Sequence, residues 1–145
     1  MSDFIRTMQV AAAGLSAQRV RMDVISANLA NAETTRTAEG GPYVRQRVVL
    51  RSAPAPERFA DLLRAQEDPL PAVRVAGISP DPRPPRRVYD PGHPDADAAG
   101  YVAMPNVSVL EEMTDMMTAM RVYEANVKAV QATKGMAQAA LEIGR

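Results

Sequence analysis

The stretch YDPGHPDADAAGY (89–101) contains the only histidine of the chain, His93, close in sequence to Asp90, Asp95 and Asp97. These are donor types for a hard-metal or hydrolytic centre. A calcium loop needs oxygen ligands at its first, third and fifth positions and a bidentate glutamate at its twelfth. Counted from Asp95, the third position is Asp97, the fifth is Ala99 and the twelfth is Asn106, so the spacing fails. The plainer reading is a proline-stiffened turn whose aspartates accept local backbone hydrogen bonds. Glu111, Glu112 and Asp115 are the next acidic group. They fall in the first turns of an expected helix, where carboxylates complement the dipole, and that accounts for them without acid–base chemistry. No cysteine, second histidine, G-x-S-x-G elbow or phosphate-cradling glycine loop occurs. Arg36, Arg45, Arg47, Arg51, Arg83, Arg86 and Arg87 lack the interleaved aromatics of single-strand binders and read as a solvated face or a contact with acidic neighbours.

Two further residues are out of place. In SANLANAETTRT (26–37), Asn28 and Asn31 end a segment that otherwise has a helical apolar rhythm. Asparagine disfavours helix interiors because its amide competes for backbone hydrogen bonds. Asn126, in YEANVKAVQATKGM (123–136), occupies a similar place near the other end.

The elements that hold these residues follow from proline. All twelve prolines lie between Pro42 and Pro105, so both ends are free to be long helices and the middle is forced into strands and turns. Stepping by four and three from the start gives Phe4, Met8, Ala11, Leu15, Gln18, Met22, Ile25 and Leu29. The same stepping further on gives Val109, Met113, Met116, Met120, Tyr123, Val127, Val130, Lys134, Ala137 and Leu141. A rhythm sustained this long predicts coiled-coil-like packing. Ser108 and Glu111 make an S-x-x-E capping box for the second helix. The middle predicts strands at 43–51, 73–78 and 101–104, a short helix over 56–66 with Phe59, Leu62 and Leu63 on one face, and an extended arm without regular structure over 79–100. The expected fold is mainly α, divided into an N-terminal helix (1–35), a small β-containing, proline-rich region (36–105) and a C-terminal helix (106–145).

Both helices also carry apolar residues off the seam: Val10, Val20 and Val24 in the first, and Leu110, Met117, Val122 and Met136 in the second. One partner helix cannot cover so wide a face, so the remainder is expected to bury against other subunits. The 46% hydrophobic content rests on nine Met and many Ala, with four Tyr, two Phe and no Trp, which suits helix seams better than a bulky core. Lys+Arg and Asp+Glu balance at 17 each, removing any bulk electrostatic case for nucleic acid or an anionic membrane. No stretch reaches the ~20 apolar residues of a membrane span. The first residues lack a secretory layout, which predicts either a cytosolic chain or export without a cleaved signal.

ANLANAETTRT and YEANVKAVQATKGM resemble the terminal signatures of the bacterial flagellar axial proteins, the rod, hook and hook-associated subunits. NAETTRTAEGGPYVRQ (31–46) and PPRRVYDPGHPDADAAGYVAMPNVSVLEEM (84–113) resemble stretches particular to proximal rod proteins within that family. The resemblance implies a non-enzymatic structural subunit of the rod, the shaft that crosses the periplasm within the basal body. It implies export, unfolded, through the flagellar type III apparatus, and polymerisation through terminal helices that transmit torque and line the export channel. Partners would be other copies, other proximal rod subunits, the export-gate adapter and the distal rod. No cofactor, metal, nucleic acid or membrane span is expected. In that setting an amide beside the seam can fix helix register by bonding across it. Asn31 can end its helix because asparagine tolerates the left-handed conformation. The alternative is that both asparagines merely cap a fraying end. A competing function class is a soluble metal- or nucleic-acid-binding module that uses the 83–100 arm.

Overall fold

The computed structural model describes residues 2–54 and 71–143; the helix expected at 56–66 lies outside them. Two long helices dominate: α1, Ser2–Ala30, of 29 residues, and α2, Val109–Ile143, of 35 residues. At 1.5 Å per residue they run ~43 and ~52 Å. They pack side by side and antiparallel, Asn28 meeting Glu112, Arg21 meeting Asp115, and Gly14 lying against Asn126. Neither is long and apolar enough to cross a membrane.

Between them lie two separate two-stranded antiparallel sheets: β1, Gln46–Pro54, with β2, Pro71–Pro80; and β3, Arg86–Tyr89, with β4, Tyr101–Met104. Pro54, Pro71 and Pro80 sit at strand ends, where a missing N–H costs no interior ladder bond. The expectation that 79–100 lacks regular structure is corrected by β3. Arg86–Tyr89 is a proline-free window, and β4 supplies its partner across a turn. Val88 pairs with the buried Val102, and the rings of Tyr89 and Tyr101 meet edge-on at 5.3 Å. The first strand also starts three residues later than its pattern predicts. Tyr43 N–H is taken by the Thr34 carbonyl, and the Arg45 carbonyl accepts from Asp81 N–H, so 43–45 act as a brace.

The contact line between the helices has a composition of its own. In α1 it follows Ala11, Gly14, Gln18, Arg21, Ile25, Asn28 and, just past the helix, Ala32. In α2 it follows Glu112, Met116, Ala119, Tyr123, Asn126, Val130, Thr133 and Ala137, all of these positions buried or half-buried. Both lines step by three and four, so the heptad rhythm is real. Ala11, Gln18, Ile25, Met116, Tyr123, Val130 and Ala137 are common to this line and to the apolar stepping. At the alternate positions the contact falls one residue earlier, on Gly14 instead of Leu15, Arg21 instead of Met22, Asn28 instead of Leu29, Glu112 instead of Met113 and Ala119 instead of Met120. A β-carbon on Gly14 would come within 2.8 Å of Asn126 Nδ2, so the backbones are close there. Phe4, Met8, Leu15, Met22, Leu29, Met116, Tyr123, Val127 and Val130 are half-buried, whereas Val109, Met113, Met120 and Leu141 are exposed.

One residue is a rotation of ~100° about a helix. In an antiparallel pair the same sense of rotation from the contact line leads to the same flank on both helices. Phe4, Met8, Leu15, Met22 and Leu29 of α1 therefore share a flank with Val109, Met113, Met120 and Val127 of α2. The opposite flank, carrying Val24 and Asp115, faces β1.

Gly100 closes the turn between β3 and β4 with a left-handed φ of 79°. An added β-carbon there would stand 2.9 Å from Tyr89 Cε2 and 3.3 Å from Pro91 Cβ. Gly100→Ala should cost roughly 1–3 kcal/mol, read as a lower urea midpoint. An unchanged midpoint would show that this turn contributes nothing to the cooperative unit.

Candidate functional site

At the closed end of the helix pair, polar groups from residues 43–46 and from the start of α2 converge on Asn28, which is 1% exposed. Asn28 Nδ2 donates to the Gln46 carbonyl at 2.9 Å and to Glu112 Oε2 at 3.0 Å. Its Oδ1 accepts from Gln46 N–H at 2.9 Å and from the Tyr43 hydroxyl at 2.9 Å. All four hydrogen-bonding positions of the amide are used. The two bonds to Gln46 imitate a strand partner, so α1 holds the first residue of β1 by its backbone. Glu112, at 0% exposure, receives Arg45 Nε at 2.6 Å on its other oxygen. Arg45 Nη1 continues to Asp81 Oδ2 at 3.1 Å, and Arg83 Nη2 reaches that oxygen at 2.8 Å.

Electrostatics agree with the geometry. Burial pulls the Arg45 guanidinium down, but the hydrogen bonds it donates to Glu112 and Asp81 more than offset it, so its pKa is raised. Burial, helped by the Glu112 charge, pushes the Tyr43 phenol up. The Arg83 guanidinium and backbone N–H, with Arg45 behind them, hold the Asp81 carboxyl far below the usual range. Two expectations are corrected here. Glu112 is not a solvated acid serving the helix dipole but a buried, paired one. Arg45, 14% exposed at its side chain, belongs to the interior and not to a solvated arginine face. Neither was legible locally, because the partners stand 67 residues apart.

The other marked residues fall as follows. Asn31 lies just beyond α1 and is not left-handed; no described residue other than glycine has positive φ. It ends the helix by back-bonding, with Nδ2 donating to the Ala27 carbonyl at 2.9 Å and Oδ1 accepting from the Thr34 hydroxyl at 3.1 Å. Asn126 packs on Gly14 and makes no hydrogen bond across the helices to a described residue. Of the two seam amides, Asn28 alone bonds to the opposite helix. Only half of the capping box forms, Ser108 Oγ accepting from Glu111 N–H at 3.4 Å, because the exposed Glu111 carboxylate does not turn back among the described residues. Gln18 Oε1 is buried in the contact line without a hydrogen-bond partner among the described residues.

In the 83–100 arm the candidate ligands are engaged locally. His93 Nδ1 accepts from Asp95 N–H at 3.1 Å. Asp95 accepts from the Thr35 hydroxyl at 2.8 Å and pairs with Arg36 at 3.4 Å, docking the loop on the segment after α1. Asp97 Oδ1 accepts from Tyr101 N–H at 2.9 Å and Ala99 N–H at 2.8 Å, and Arg87 binds its other oxygen. Tyr101 N–H, then Ala99 N–H and Arg87, lower the Asp97 pKa. No group of three His, Cys, Asp or Glu suited to a metal occurs among the described residues.

Outside the cluster, the flank away from β1 is apolar and open. Leu110 is 76% exposed, Met113 53%, Met117 54% and Met120 48%. The pair thus buries small and polar groups and presents large apolar ones, the reverse of a self-sufficient globule.

Known proteins are similar to this chain at both ends and over nearly its full length. Residues 8–36 match the family described as flagella basal body rod protein. Residues 98–143 match the family described as flagellar basal body rod FlgEFG protein C-terminal. The flagellar basal-body rod protein FlgC of Bacillus subtilis (strain 168) is 47% identical, over 96% of this chain and 97% of that protein. The proteins of the same name from Borreliella burgdorferi and Salmonella typhimurium are 43% and 36% identical, covering 94% and 97% of this chain and 95% and 98% of their own lengths.

Arg45→Met leaves Glu112 buried and short of its cation, at a cost of ~3–5 kcal/mol. Arg45→Met with Glu112→Met should cost less than Arg45→Met alone, measured by urea denaturation; additive losses would show that the two side chains act separately. The depressed carboxyls set an acid limb. Their contribution is complete above the unfolded carboxyl value of about 3.9 and drains away as pH falls toward and through the folded values. Melting curves of Asp81→Asn should therefore depend less on pH below ~4 than those of the parent chain. Parallel dependences would remove Asp81 from the acid limb.

Proposed function

Because the chain belongs to the FlgC family of flagellar basal-body rod proteins, we propose that it builds the rod by laying the open apolar flank of its helix pair against neighbouring subunits. It is a structural rod subunit and not an enzyme. The observation that carries the reading is the exposed run Leu110, Met113, Met117 and Met120, which has no cover among the described residues. Burying apolar surface yields ~25 cal/mol per Å², so a flank shared by two helices supplies ample driving force.

In this reading Phe4, Met8, Leu15, Met22, Ile25, Leu29, Val109, Met113, Met116, Met120, Tyr123, Val127, Val130 and Leu141 form the assembly seam, some within the pair and some between subunits. Asn28 sets register by its bonds and Asn126 by its fit against Gly14, Asn31 ends α1, and Ser108, accepting from the Glu111 N–H, starts α2. Residues 1–35 and 106–145 act as axial helices, and 36–105 stand outside them. Parallel helix contacts carry torque by packing and wall the export channel. The rod it builds spans the periplasm, with other rod subunits as its neighbours, and the chain reaches that place by type III export. The absence of cysteine suits such a route, since no disulfide chemistry intervenes.

Met120→Asp or Leu29→Asp puts a carboxylate on the proposed seam. Either should abolish incorporation into the rod while leaving export of the chain intact, read as loss of motility with the protein in the medium. Normal swimming in both variants would sink the seam assignment.

A further inference from the structure

The two flanks of the helix pair are unlike. Opposite the apolar flank, α1, β1 and α2 enclose a half-open cleft of about 340 Å³. Val24, Val48 and Leu50 give it one apolar wall, and the polar cluster of Asn28, Arg45 and Glu112 lies beside them. The Arg21–Asp115 pair closes one side, and Arg47, which also lines it, is exposed. On the other flank Met113, Met117 and Met120 form a ridge that continues, four residues on, to the exposed Glu124. Neither Arg47 nor Glu124 has an ion-pair partner among the described residues. Met113 to Met120 spans ~10 Å of helix, as does the Arg21–Asn28 edge of the cleft.

We propose that the cleft receives the methionine ridge of a second copy of this chain, with that copy's Glu124 set against Arg47. The inference rests on the rod-subunit reading and specifies its subunit contact. Three observations favour a second copy as occupant. Ridge and cleft lie on opposite flanks, so one molecule cannot satisfy itself. Their lengths match, and each ends in an unpaired charge opposite to the other's. Pairing two ridges back to back fails on charge. A parallel pairing sets Glu124 against Glu124, and an antiparallel one sets Glu124 against Leu110, while the cleft and Arg47 stay unused. Ridge into cleft is a heterologous contact, which propagates as an open helix instead of closing into a dimer. Methionine suits the ridge, because its flexible thioether adapts to an irregular cleft.

The chain has no cysteine, so a Val48→Cys, Met117→Cys double variant can be oxidised in isolated basal bodies without background. We expect a ladder of covalent multimers from the double variant and none from either single one. Motile cells that give no ladder would overturn the docking while leaving the rod-subunit reading intact. Dimers from Met117→Cys alone would overturn it in favour of back-to-back packing. An independent arm exchanges the charges: Arg47→Glu and Glu124→Arg should each reduce swimming severalfold, and together should restore it. Losses that simply add would also overturn the contact, as would normal swimming in Met120→Asp, since Met120 belongs to the ridge.

Discussion

The buried pairing of Glu112 with Arg45, fixed by Asn28, is the constraint on which the rest of the structure depends. A carboxylate removed from water is costly unless its charge and lone pairs are all met. Here they are met only when α1 and the 43–46 brace reach the start of α2 together, with the Asp81 turn holding Arg45 from its other side. No two of these segments satisfy Glu112 alone, so the closed end forms as a unit. Asn28 enforces the geometry most strictly, since its amide binds both backbone groups of Gln46 and reaches α2 with the same nitrogen.

That constraint decides which face of the helix pair is covered. The bonds to Gln46 and Arg45 draw the β1–β2 hairpin against the flank carrying Val24 and Asp115. They leave the flank carrying Met113 and Met120 bare. The contact line itself is narrow and small, with Ala11, Gly14 and Ala119 contributing little area and Gln18 leaving an oxygen unmatched. Polar convergence holds the subunit together at one end, while large apolar side chains such as Leu110, Met113, Met117 and Met120 stay exposed. The scarcity of aromatic residues follows, because a molecule without a large private core has little need of bulky anchors.

The same division explains what could be read in the sequence. Helix positions and the strand-forming middle were legible because proline placement and heptad spacing are local signals. The phase of the contact was only half legible. Two tracks share Ile25, Met116, Tyr123 and Val130, and they diverge at Asn28 or Leu29 and at Glu112 or Met113. Choosing by hydrophobicity favours Leu29 and Met113, because apolar periodicity marks a face that must be buried without saying whose surface buries it. The helices instead meet on the track containing Asn28 and Glu112, since those groups find each other there. Asn28 stood out as an anomaly, but its partners Tyr43, Gln46 and Glu112 did not, because a buried pair far apart in sequence leaves no periodic trace. Likewise β3 was hidden by the prolines around it, its pairing with β4 depending on a turn closed by Gly100 and Asp97.

Directional and non-directional forces therefore do different jobs in this subunit. Hydrogen bonds and ion pairs weaken steeply as their geometry departs from ideal, so the Asn28–Glu112–Arg45 cluster sets the angle between hairpin and helices. Apolar burial tolerates small displacements, so it can supply the energy of assembly without dictating that angle. A cylinder built from repeated copies needs both, since an error in the subunit's internal angle is multiplied at every contact. Placing the directional bonds inside each subunit, where four segments must agree, keeps that angle from being negotiated at the interfaces. It also accounts for two asparagines at the end of a helix: one is spent on fixing the fold, and the other on stopping the helix where the brace must begin.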